Sequence, residues 1–147
     1  MHIITTNKKA YFDYEILETF EAGIVLEGQE VKSIKTGHIS LTGSYVTIKD
    51  SEAWLLSAHI PPYKMAGPLP GYEPTKSRKL LLRKQELRTL IGKIKQKGLT
   101  LMPLKIYTKR GKIKLEFGLA RGKKKYEKRE KIKEREIKKR VVELLKQ

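Results

Sequence analysis

The side chains best suited to chemistry are few in this chain and badly spaced for it. His2, His38 and His59 are its only imidazoles, and no two of them share a local metal-binding spacing. Cysteine is absent, which excludes disulfides, thiolate metal sites and cysteine nucleophiles. Glu15, Glu18, Glu21 and Glu30 crowd one stretch, yet nothing in their spacing pairs two of them for acid and base work. They read as a solvated strand edge, with Glu21 the candidate to accept from the amino group of an unpaired base. Gly118-Leu119-Ala120-Arg121-Gly122-Lys123-Lys124 resembles a phosphate loop only superficially. Its glycines are one residue too close, and no Ser or Thr follows the lysines. The expectation is a protein that is not an enzyme and carries no metal and no cofactor. A metal-independent nuclease would need an acid–base pair that the sequence does not offer.

What remains is charge. Lys plus Arg number 33 against 16 Asp plus Glu, a formal net charge of +17. Such an excess calls for a polyanion. Nucleic acid comes first, since each cation that neutralises a phosphate releases condensed counterions, and an anionic membrane surface comes second. Asn7-Lys8-Lys9, Lys76-Ser77-Arg78-Lys79 and Lys109-Arg110-Gly111-Lys112 fall at element ends, where they would meet a phosphate backbone. Tyr11, Phe12 and Tyr14 beside the first cluster could stack on unpaired bases, with at least one of them expected in the core.

The elements that must position these groups follow from periodicity. Tyr14 to Leu26 reads as one long strand kinked at Gly23. Gly28 to Gly37 suits a short helix closed by a glycine cap. Ser44 to Lys49 and Ala53 to Ile60 predict a hairpin around Asp50-Ser51-Glu52, with Trp54, Leu56, Ala58 and Ile60 on one side. Prolines and glycines make Pro61 to Thr75 a loop whose mobility the sequence leaves open. After the apolar run Leu80-Leu81-Leu82, the residues Leu87, Leu90, Ile91 and Ile94 predict an amphipathic helix stopped near Gly98. Leu99 to Tyr107 and Lys112 to Leu119 form two last strands, the second with Ile113, Leu115, Phe117 and Leu119 facing inward.

The expected fold is mainly β, a small OB-type β-barrel with two or three short helices, followed by a basic C-terminal tail. A two-layer α+β sandwich is the alternative. The barrel is assigned residues 1–121 and the tail residues 122–147, which are rich in Lys, Arg and Glu. The tail has only a thin apolar stripe and is expected to stay disordered until a partner makes it helical. The N-terminus lacks the apolar segment of a secretory signal, and no uncharged stretch reaches spanning length, so a cytoplasmic monomer without a membrane partner is expected.

Ordered blocks along the chain resemble the SmpB family, small protein B. They are Asn7-Lys8, Asp13-Tyr14, Phe20-Glu21-Ala22-Gly23-Ile24, Gly28-Gln29-Glu30-Val31-Lys32-Ser33, Ser44-Tyr45-Val46, Pro74-Thr75, Arg78-Lys79-Leu80-Leu81-Leu82, Gly98-Leu99-Thr100 and Gly118 to Lys124. Each block is weak alone; their order and spacing are specific. The resemblance implies a protein of trans-translation that binds the tRNA-like domain of transfer-messenger RNA and brings it to stalled ribosomes, with elongation factor Tu met through the shared RNA. The tail would enter the empty mRNA channel near the small-subunit decoding centre. By position, the resemblance assigns Asn7, Lys8, Glu21 and Leu81 to the RNA, with Phe12 standing where the family often has histidine. Lys9, Lys79 and Lys112 join them from the basic clusters. Lys123, Lys124, Lys128, Arg129, Ile132, Lys133 and Arg135 match the ribosome-binding tail, and Glu127 replaces the usual aspartate. A structural protein held permanently in the ribosome is the rival that charge alone would permit.

Overall fold

The computed structural model describes residues 1–96, 98–123 and 135–140. Its element order is β1 (His2–Thr6), α1 (Lys8–Asp13), β2 (Tyr14–Ile24), α2 (Gly28–Lys35), β3 (Tyr45–Lys49), β4 (Glu52–Leu56), a 3-10 turn (Lys64–Ala66), β5 (Arg78–Leu81), α3 (Lys84–Ile94), β6 (Leu99–Lys109) and β7 (Lys112–Gly122). Residues 135–140 are helical. The strands run β1-β6-β3-β4-β5-β2-β7, and β7 pairs back onto β6, so one antiparallel sheet closes into a ring. The mainly β expectation holds.

Alternation drives this closure. Ile113, Leu115, Phe117 and Leu119 of β7 are buried, while Lys112 is exposed and Lys114 and Glu116 are half-buried between them. The β6–β7 hairpin turns at Arg110 and Gly111, with φ of 52° and 77°, the pair of left-handed residues a two-residue turn needs. Leu55, Ile106, Leu115 and Phe117 fill the interior. Ile34 of α2 and Leu90 of α3 join them there at 0% exposure. Helix α2 begins with a capping box between Glu27 and Glu30, and Gly37 takes φ of 89° after its last turn, as the glycine cap requires.

Several expectations are corrected. The irregularity in β2 lies between Ile16 and Glu18, which pushes Leu17 outward, and Gly23 sits in regular register. In β4 it is Ala53 and Leu55 that point inward. Ser57, at φ of 63°, then breaks the alternation, so Ala58 and Ile60 are buried although Trp54 and Leu56 face out. Tyr11, Phe12 and Tyr14 are all half-buried; none belongs to the core. Beyond these, β1 and α1 occupy a stretch to which sequence reasoning gave no element.

Arg78 also departs from expectation. It is 2% exposed and lies against Glu30 at 1%, with Nη2 and Nε donating to Glu30 Oε2 at 2.7 and 3.0 Å. Its remaining donors reach Ala58 O at 2.8 Å and Pro74 O at 2.9 Å. Tyr72 donates to Ile60 O at 2.8 Å and lies 3.0 Å from Glu30 Oε2. Burial first, and then its bond to the Glu30 carboxylate, raises the Tyr72 pKa. The Pro61 to Thr75 loop is therefore tied to α2 and β5 near both of its ends, with Tyr63 N donating to Gln29 at 2.9 Å as a further tether.

Candidate nucleic-acid interface

Strand β5 sends Arg78 and Leu80 inward and therefore Lys79 and Leu81 outward. Leu81 is 55% exposed and pairs with Gly23 of β2. A Cβ on Gly23 would lie 3.4 Å from Leu81 Cβ, so glycine gives the leucine a flat seat. Shallow grooves flank Leu81. One is lined by Glu21, Arg83, Glu86 and Lys114, the other by Ile24, Val31, Gly111 and Lys112. An exposed leucine ringed by cations and two carboxylates suits an RNA surface, where an apolar contact and phosphate contacts are made together.

Glu21 is held in place within this patch. Tyr107 donates to its Oε2, and Lys109 Nζ approaches the same oxygen at 3.5 Å. The Tyr107 hydroxyl, more than the lysine, holds the Glu21 pKa below the usual carboxylate range. Tyr107 moves the other way, pushed up by burial and then by its bond to Glu21, so it stays a neutral donor. Oε1 of Glu21 has no partner among the described residues. It is an oriented acceptor, the geometry that reading a base amino group requires.

The other sequence-assigned residues divide into three groups. Lys79 joins the Leu81 side, with Nζ 3.2 Å from Glu52 in an exposed pair. Lys8 and Lys9 are exposed on α1, and Phe12 on the same helix lies 5.7 Å beneath the Arg135 guanidinium. Helix α1 leads directly into Tyr14, so it is about 23 Å from Glu21, seven residues of strand at 3.3 Å each. The two clusters mark opposite ends of β2. Lys123 belongs with α1, its N–H donating to Asp13 O at 2.8 Å and its Nζ to Tyr11 O at 3.1 Å. Lys124, Lys128, Arg129, Ile132 and Lys133 lie outside the described residues.

Asn7 is drawn into the fold. Its side chain is 4% exposed, caps α1 by accepting from Ala10 N at 3.3 Å, and donates to Pro103 O at 2.9 Å and Leu41 O at 3.4 Å. It fixes the helix that carries Lys8 and Lys9. Asn7→Ala is expected to cost about 1–3 kcal/mol of stability, from the lost cap and the stranded carbonyls. Denaturant unfolding measures this directly. Lys114, Arg83 and Tyr107 were missed by sequence reasoning. The signal for Lys114 was present, because it alternates with buried Ile113 and Leu115 on the same strand as Lys112.

Among the described residues no group of His, Asp or Glu is arranged to hold a metal, and no helix is long and apolar enough to cross a membrane.

Comparison with known proteins gives concordant matches. The family model described as SmpB protein covers residues 4–147. An SsrA-binding protein of Trichodesmium erythraeum is 52% identical over 145 residues, 99% of this chain and 93% of the relative. One from a Sulfurihydrogenibium species is 54% identical over 139 residues, 95% of this chain and 91% of the relative. A chain in a solved structure described as "tmRNA-SmpB: a journey to the center of the bacterial ribosome" superposes with a TM-score of 0.68 at 52% identity. It covers 82% of this chain and 85% of that one.

Proposed function

The chain belongs to the SmpB protein family, and from that membership and the Leu81 patch we propose that its ring of strands captures the tRNA-like domain of transfer-messenger RNA for trans-translation. It binds this RNA and takes it to stalled ribosomes. One observation carries the assignment of the surface: Leu81 stands exposed over Gly23 between an oriented Glu21 and the cations Lys112 and Lys114. The ring, residues 1–121, is the RNA-capturing part. Residues 122–147 are the ribosome-directed part, entering the vacant mRNA channel near the decoding centre. The protein acts in the cytoplasm by binding alone, without catalysis.

Sequencing the RNA that co-purifies with the chain tests this. Transfer-messenger RNA should dominate; ribosomal RNA in proportion to every ribosome, without it, would instead mark a resident ribosomal component. The patch has its own test. Lys112→Ala is expected to weaken binding to the tRNA-like RNA and to flatten the plot of log affinity against log salt by about 0.7–0.9. Leu81→Ala should weaken binding by up to about tenfold without flattening that plot, because what it loses is an apolar contact. An unchanged affinity for both variants would move the RNA to another surface.

A further inference from the structure

Trp54 is the only tryptophan in the chain. Its strand neighbours Ala53 and Leu55 are buried at 1% and 0%, so the indole lies on the outside of the ring, half-buried. Across the sheet it stands between Thr47 of β3 and Lys79 of β5. Among the described residues no helix makes more than marginal contact with β3 or β4, so the indole is left open to a partner. Around it is a shallow groove lined by Thr47, Lys49, Asp50, Glu52, Leu56 and Ser77.

We infer that Trp54 is a stacking platform for an unpaired nucleobase bearing an exocyclic amino group, adenine, cytosine or guanine, at the margin of the RNA surface. This rests on the RNA-binding reading above and extends it to one site. A solitary outward tryptophan would mean little; its surroundings give it meaning. Lys79 is both its cross-strand neighbour and the residue two before Leu81, on the same outward side of β5. The indole therefore extends the Gly23–Leu81 surface by one more strand, about 5 Å across the sheet and two residues, about 7 Å, along it.

The local charge specifies what binds. Lys49 and Lys79 are balanced by Asp50 and Glu52, so this is no phosphate track. An aromatic face beside carboxylate acceptors is instead matched to a base, which stacks on the ring and donates its amino hydrogens to an acid. Uracil has no amino group and gains only the stacking. The Lys79–Glu52 pair, 3.2 Å apart with side chains 42% and 44% exposed, is weak enough to open when RNA arrives. Lys79 is then free for the adjoining phosphate and Glu52 for the base.

The single indole reports directly on this site. The full-length chain is titrated with the tRNA-like domain RNA and with short oligoadenylate, oligocytidylate and oligouridylate while tryptophan emission is followed. Strong quenching by the RNA, oligoadenylate and oligocytidylate is expected, with weaker quenching by oligouridylate. Trp54→Ala should lower affinity for the tRNA-like RNA about tenfold, the effect of one stacked base, while Trp54→Phe stays within about threefold of the parent. Emission unchanged at saturating RNA overturns the inference and leaves the RNA-binding reading standing, and so does undiminished affinity of Trp54→Ala. A parent chain that fails to bind the tRNA-like RNA overturns both. Equal quenching by oligouridylate overturns the amino-base specificity.

Discussion

Replacing Arg78 by methionine is expected to destabilise the protein by about 3–5 kcal/mol, a large share of the roughly 5–15 kcal/mol that holds a domain folded. The reason is Glu30, which stays at 1% exposure but loses both guanidinium bonds. A buried ion stripped of its partner costs more than the pair contributes. Arg78→Met combined with Glu30→Leu should therefore recover much of the loss, since it strands no charge. Denaturant unfolding of the two single variants and the double variant supplies the comparison. A second readout is local: Arg78 also donates to Pro74 O and Ala58 O. The single variant should open the Pro61 to Thr75 loop to proteolysis. A loss below about 1 kcal/mol would mean that Glu30 reaches water at little cost.

The second large effect concerns the division of labour. A chain ended after Lys123 keeps every strand of the ring and the bonds of Lys123 to α1. Its affinity for the tRNA-like RNA at physiological salt should stay within about twofold of the full chain, as distant independent sites add to within a few tenths of a kcal/mol. Release of ribosomes stalled on a message without a stop codon should fall to background. Filter binding and a reconstituted release assay read the two activities separately. If truncation removes most of the RNA affinity, capture is not confined to the ring.

How much of this was legible depended on whether a signal was local. The inward row Ile113, Leu115, Phe117 and Leu119 and the α3 period around Leu90 could be read directly, because strand and helix repeats are written in consecutive residues. Asn7 and Arg78 could not be. Each looked like one more polar residue in a basic cluster, and each is consumed by groups far away in sequence: Pro103 O for Asn7, Glu30 for Arg78. Gly23 was misread for the same reason. A glycine inside a strand pattern suggests a bulge, but here its missing side chain makes room for Leu81, 58 positions later. The exposure of Leu81 was not written in composition at all, since Leu80-Leu81-Leu82 looks like core until the strand's facing is known. It was the family resemblance that singled it out. For the functional patch as a whole, Glu21, Leu81 and Lys112 were named, while the neighbours Lys114 and Arg83 needed the fold to bring them alongside.

The closing pairs of the ring also set an order of birth. Strand β2 pairs from Tyr14↔Gly122 to Gly23↔Lys114, and β1 pairs His2↔Thr108, so the first strands made on the ribosome wait for the last. Such long-range pairing is slow, because a large loop must close before any contact rewards it. The patch around Leu81 is assembled from β2, β5 and β7. It is incomplete until Lys112 and Lys114 emerge: before that the leucine over its glycine has Lys79 and Arg83 beside it but neither β7 cation. The nascent chain therefore completes its RNA surface only once β7 has been made and has paired with β2.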